Sequence, residues 1–226
     1  MGDIKINEKN SLTLVKVNLG CGPSGIDGWI NYDWGILPLI SKIPFLQRII
    51  FSFRLLPSFY SAKWPKLELV NIQKKLPLKD ESVNYIYCSH VLEHFEPWEA
   101  LGVLKECKRI MKTGGVLRIV TPDIRKLIDI YLNSGNNARA ARLLCNMWWG
   151  FDKDRQPTSF LEKLSRRFTR ENLWNYDEEE MTALIKSAGF NHVSLVSVGK
   201  GEVPDIDRLD SPKMANTSLY VEVKKI

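Results

Sequence analysis

Three places in this sequence hold residue types that can do chemistry at a useful spacing. The first is the run Val15-Lys-Val-Asn-Leu-Gly-Cys-Gly-Pro-Ser-Gly25, an apolar strand pattern that ends in a glycine turn. Glycine lacks the Cβ that would hold a ligand off the backbone, so such a turn can offer N–H donors to a carboxylate or phosphate. Gly20, Gly22 and Gly25 also fit the GxGxxG spacing of dinucleotide binders, a match that is weak by itself. The second is Asp33, which closes the short run Trp29-Ile-Asn-Tyr32. An acid at a strand end can accept hydrogen bonds from both hydroxyls of a ribose. Asp33 follows Gly25 by eight residues, whereas the acid of a nicotinamide-binding unit comes ~20 residues on, after a long helix. The third is His90-Val-Leu-Glu93-His94. On one helix this HxxEH spacing would bring two imidazoles and a carboxylate together for zinc. The run follows an apolar strand pattern and has no clear further ligand, which argues against a peptidase. Either histidine, with an ordinary pKa of ~6.5, can take up a proton near neutral pH. The plainer reading has His94 orienting its loop by hydrogen bonds, with Glu93 solvated or capping a neighbour.

The elements that must position these groups are legible from periodicity. Strand patterns fall at Leu12–Leu19, Trp29–Tyr32, Leu67–Ile72, Val83–Cys88, Val116–Thr121, Val193–Val198 and Ser218–Val223. Helical patterns cover Pro97–Met111 and Asp177–Ala188, the second ending before Gly189. Strands alternating with helices predict an α/β fold, a mostly parallel seven-stranded Rossmann-like sheet in three layers. In such sheets ligands bind beyond the carboxyl ends of the strands, where the three chemical sites fall. The last two strands have no helical pattern between them and are expected to pair antiparallel at one edge. The chain reads as one domain over 1–226 with insertions at 35–66 and 124–175 forming a substrate lid.

With those elements in place the sequence resembles the class I S-adenosylmethionine (SAM)-dependent methyltransferases of the small-molecule type. It is most similar to a bacterial subgroup that often accompanies surface-polysaccharide genes. The resemblance rests on the glycine turn followed by Gly28-Trp-Ile-Asn-Tyr-Asp33, and on Leu76-Pro-Leu78 with Asp80-Glu-Ser82 and Ile86-Tyr-Cys-Ser-His-Val-Leu-Glu-His-Phe95. Leu104-Lys-Glu106, Arg109-Ile-Met-Lys-Thr-Gly-Gly115, Ala188-Gly-Phe190 and Ser218-Leu-Tyr-Val-Glu-Val-Lys-Lys225 complete it. It implies a methyltransferase with SAM as cofactor, acting on a small-molecule or glycan- or lipid-linked sugar acceptor at oxygen. Asn18, Gly20, Cys21 and Gly22 would cradle the methionine part, Asp33 the ribose, Asn71 and Ile72 the adenine, with Ser89 and His90 under the methionyl end. His90 and His94 are the catalytic candidates. Related enzymes with ExxEH at this position include some that hold a divalent cation; His90 stands for their first Glu, and no metal is expected. Asn18 and Asn71 stand where acids are common. That departure keeps open a catalytically silent partner subunit of the same fold, while GxGxxG keeps open a nicotinamide-dependent oxidoreductase.

Composition bounds the rest. With 226 residues, 44% hydrophobic and 26% charged, the chain is neither disordered nor a disulfide scaffold. Cys21, Cys88, Cys107 and Cys145 form no CxxC pair, which suits a reducing compartment. Met1–Asn10 is polar with no apolar core, so a cytoplasmic location is expected. The net charge of +6, concentrated in the insertions beside Trp148, Trp149, Phe151, Phe160, Phe168 and Trp174, suggests an anionic or sugar-like acceptor. No nucleic acid is expected as partner, because the motifs of base methyltransferases are missing. The 35–66 stretch has five basic and no acidic residues, and within it 43–56 is a candidate for peripheral membrane contact. Oligomeric state is not legible.

Overall fold

The computed structural model describes residues 14–43, 45, 64–135, 138–149 and 171–226. Seven strands, β1 (Lys16–Leu19), β2 (Ile30–Asp33), β3 (Glu68–Leu69), β4 (Val83–Ser89), β5 (Met111–Pro122), β6 (His192–Leu195) and β7 (Ser218–Lys224), form one sheet. Their order is β3-β2-β1-β4-β5-β7-β6. The first five run parallel to one another, and β7 inserts antiparallel between β5 and β6. The pairing expected of the last two strands is present, with the antiparallel member one position in from the edge. Strand ends differ from the sequence patterns by a few residues. The largest change is in β5, which runs from Met111 through Gly114 and Gly115 because β4 and β5 shift register between Val83 and Tyr85.

Side chains alternate across this sheet, and the two faces are covered differently. Odd positions of β1 and β5 and even positions of β4 meet α2 (Pro97–Ile110) and α5 (Glu178–Ser187), packing Val17, Leu19, Ile86, Cys88, Leu117 and Ile119 into the main core. Helix α2 starts at Glu96, whose side chain and that of Glu99 close a reciprocal capping box around Pro97, and it buries Ala100, Val103, Leu104, Cys107 and Ile110. Helix α5 is capped by Asp177, which accepts from the Glu180 N–H at 2.9 Å. Between β5 and α5, helices α3 (Ile124–Asn133) and α4 (Ala138–Trp149) occupy the described part of the second insertion.

On the opposite face the cover is the connection from β6 to β7, in which the short α6 (Ile206–Leu209) is the one α-helix. Val203 and Leu209 from this connection join Trp29, Tyr87, Val116, Val120 and Tyr220 in a smaller core. What fixes the connection to the sheet is Arg118, fully buried on β5. Its five N–H donors all find acceptors. Nε and Nη2 donate to the two Asp210 carboxylate oxygens at 3.1 and 2.5 Å, Nη1 donates to Glu222 at 3.2 Å and Lys200 O at 2.9 Å, and Nη2 donates to Ser197 O at 3.0 Å. A guanidinium with its whole fork satisfied can sit in an otherwise apolar layer.

The described part of the crossover from β1 to β2 is equally spare. Residues 20–29 hold one 3-10 turn, Gly22–Ser24, and no α-helix. Parallel neighbours usually need a dozen or more residues to cross over. The brevity brings Asp33 back beside the glycine turn, and it leaves out the long helix of a nicotinamide-binding unit.

Candidate functional site

Gly20 follows β1 with φ +64°, a left-handed conformation that costs a residue with a Cβ, and a Cβ there would lie within 2.4 Å of the Val91 side chain. The turn that it starts points the Gly22 N–H at Asp33, whose Oδ2 accepts at 2.7 Å. Gly25, the third glycine of the GxGxxG match, serves packing: a Cβ would strike Asn31 Oδ1 and Pro65 at 2.7 Å. Asn31 in turn donates to the carbonyls of Ile26 and Lys66 and accepts from buried Asn18 at 3.4 Å, bracing the turn from behind.

These residues open on one cleft of about 520 Å³ at the carboxyl ends of the strands. That volume is in the range of pockets that enclose a nucleoside-sized molecule. The lining includes Asn18, Gly20, Cys21, Gly22, Asp33, Asn71, Ile72, Ser89, His90 and His94, so every candidate site residue faces the same space. Asn71 Oδ1 accepts from Gln73 N–H at 3.0 Å, which holds its side chain against the backbone after β3. Burial, with the Asp33 charge beside it, pushes the Cys21 thiol up to about 12, so it stays protonated at neutral pH. Asp33 is the one carboxylate of the lining, and no Lys or Arg lines the cleft among the described residues.

The HxxEH run does not form one helix. His90 has φ +53°, and a 3-10 turn follows at Leu92–His94. This kink separates the two histidines. His90 Nδ1 lies 3.1 Å from Glu93 Oε1 and its Nε2 lies 3.3 Å from Ser218 Oγ, while its backbone N–H donates to Val120 O at 2.8 Å. His94, also in the cleft lining, donates from Nδ1 to Glu171 O at 3.0 Å. Glu93 is 1% exposed, which corrects the reading of a solvated or capping carboxylate: it is buried under His90, with Thr121 Oγ1 at 3.5 Å from its other oxygen. Burial lowers the His90 pKa, but the Glu93 hydrogen bond and charge outweigh it and hold the imidazole above its ordinary value.

Sequence reasoning missed, among the lining residues, Val91, Phe95, Val120, Leu209, Ser211, Met214 and Tyr220. Leu209, Ser211 and Met214 come from the β6–β7 connection, whose path depends on the Arg118–Asp210 pair and carried no local signal. Glu93 was visible as a residue type, but its partner was not. Trp148 and Trp149 fall in α4, and Phe151, Phe160 and Phe168 lie outside the described residues. No described helix is long and apolar enough to cross a membrane.

This cleft lies at the carboxyl ends of a 3-2-1-4-5-7-6 sheet, the place where a Rossmann-like α/β fold binds its ligands. Residues 59–119, which run from before β3 into β5, match the family model described as a methyltransferase domain. That match spans the middle of the chain and is to a methyltransferase domain. No curated protein matches the sequence. Among solved structures, the chain is similar to a SAM-dependent methyltransferase of Thermotoga maritima at 16% identity, covering 94% of this chain and 82% of that one with a TM-score of 0.47. It is similar to a SAM-dependent methyltransferase of Aquifex aeolicus at 14% identity, covering 95% and 83%, with a TM-score of 0.46. Against the CMeT domain of the citrinin polyketide synthase it is 14% identical and covers 93% of this chain but 46% of the other, with a TM-score of 0.49. Likenesses this distant carry no weight beside the sheet order and the cleft.

Proposed function

We propose that this protein moves the methyl group of SAM to an oxygen of a small, sugar-like acceptor. The observation that carries the reading is the Asp33 carboxylate held at the glycine turn within one cleft. Asp33 would take the ribose hydroxyls, Asn71 and Ile72 the adenine, and Asn18, Gly20, Cys21, Gly22 and Ser89 the methionine end. When bound, the sulfonium supplies a methyl carbon open to in-line attack, and the protein's own share is alignment and exclusion of water. The cleft walls do the latter with Val91, Phe95, Val120 and Leu209.

An acceptor hydroxyl must lose a proton, and the two histidines are placed differently for that task. His94 gives its Nδ1–H to Glu171 O, which fixes the tautomer and leaves Nε2 as the basic nitrogen. Both ring nitrogens of His90 face partners, Glu93 and Ser218. His94 is therefore the base, and His90 supports the cleft floor. Titration calorimetry with SAM tests the cofactor reading. Binding is expected, with affinity reduced at least ~10-fold in Asp33→Ala, since a charge-assisted hydrogen bond contributes about 1.5–3 kcal/mol. No heat with SAM, or equal binding of nicotinamide dinucleotide, overturns it.

A further inference from the structure

The rim of the cleft carries an exposed apolar surface. After β2 the chain turns outward, and Trp34, Ile36, Leu39, Ile43 and Phe45 are all exposed, Phe45 at 76%. Ile36 and Leu39 fall at i and i+3 on helix α1 (Ile36–Ser41), and Ile43 and Phe45 follow just past its C-cap. The opposite side is inward: Pro38 is buried, and Leu37 and Pro38 line the cleft. Five large apolar side chains within twelve residues form a patch of the kind that marks an interaction site in a water-soluble protein. Charge decides what it meets. The 35–66 stretch contains Lys42, Arg48, Arg54, Lys63 and Lys66 and no Asp or Glu. Of these, Lys42 is exposed between Leu39 and Ile43, in the patch itself.

We infer that this rim docks on an anionic lipid bilayer, with the apolar ridge entering the headgroup boundary and Lys42 meeting lipid phosphates. An exposed aromatic and aliphatic ridge with a basic side chain in it is the pattern of an interfacial segment. A protein partner of ordinary composition would present some basic groups to this all-basic stretch, whereas an anionic leaflet presents none. Because Trp34 and Ile36 also line the cleft, docking brings its mouth to the membrane surface. An acceptor anchored in the bilayer would then reach the cleft without leaving it, a consequence that rests on the proposed activity; the docking itself does not.

Co-sedimentation of the full chain with vesicles tests the docking. Vesicles of phosphatidylcholine mixed with phosphatidylglycerol are expected to pellet the protein, and vesicles of phosphatidylcholine alone at least ~10-fold less, because anionic lipid supplies about 1 kcal/mol per basic residue near the surface. The double variant Ile43→Asp, Phe45→Asp should stay in the supernatant with its melting temperature unchanged, since both side chains are exposed and neither lines the cleft. Should that variant fold poorly, Ile43→Ser with Phe45→Ser gives the same readout. No pelleting with the anionic vesicles overturns the inference. So does pelleting that Lys42→Glu abolishes while the apolar variants bind as the parent does, which would mean charge adsorption without insertion. SAM binding measured on the same preparations separates failure of the docking from failure of the methyltransferase reading.

Discussion

His90 is held in a backbone conformation that an L-residue rarely adopts, and a buried carboxylate lies beneath it. Such strain persists only where the surroundings fix it, here the Val120 carbonyl, Glu93 and Ser218. Because the folded pKa of His90 is raised, its pairing with Glu93 stabilises the protein fully below the unfolded value of ~6.5 and loses that contribution as pH rises through the folded value. Glu93→Gln removes the charge and leaves the burial. The His90 titration followed by NMR should then move to below the ordinary histidine value, since desolvation acts unopposed. Urea denaturation should show the variant losing more stability relative to the parent at pH 6 than at pH 9. Equal losses at the two pH values would mean that Glu93 acts by packing alone. The residues immediately after strands, Gly20, Asp33, Asn71, Ser89 and His90, were legible in sequence because an open α/β sheet places its ligand site there. Glu93 was not, because HxxEH reads as one helix face until the left-handed residue at 90 breaks it.

At the scale of elements, the cleft depends on a connection with little regular structure of its own. Ser197, Gly199, Lys200, Glu202 and Val203 reach the sheet through Arg118, Asp210 and Glu222, and the cleft residues Leu209, Ser211 and Met214 stand on the same segment. Arg118→Leu should cost about 3–5 kcal/mol in denaturant unfolding, because it leaves two buried carboxylates without their cation. Arg118→Lys should recover little, as three donors on one nitrogen cannot serve five acceptor contacts in a planar fork. A loss under about 1 kcal/mol for Arg118→Leu would show that the connection is held by its apolar contacts instead. Strand and helix identity was legible from periodicity, as was the antiparallel pairing at the β6–β7 edge. The cover of the second face was not. Its signal is a single arginine in the apolar run Val116-Leu-Arg-Ile-Val120, which gains meaning only once Glu222 is seen directly opposite it on β7 and Asp210 is brought in from the connection.

For the whole molecule, the cleft gathers segments that are far apart in the chain: the turn at 20–22, Asp33, Asn71, Ser89 with His90, and Leu209 to Tyr220. The β-ladder registers line them up in one row, since Leu19 pairs with both Tyr32 and Cys88, Ser89 with Val120, and Val120 with Tyr220. A ligand that touches this row binds the folded chain and not the unfolded one, so its affinity adds to global stability by mass action. At a hundredfold excess of SAM over its Kd the gain is about 2.7 kcal/mol. For a chain of this length each kcal/mol raises the melting temperature by roughly 2–4 °C, which predicts a rise of roughly 5–10 °C. Differential scanning calorimetry on the parent measures it. Asp33→Ala at the same SAM concentration should show a smaller rise, because its Kd is higher, and nicotinamide dinucleotide should give none. A SAM-bound chain that melts at the temperature of the free one would mean that the ligand grips a local segment which opens before the sheet does, and that the row across the strands is not where it sits.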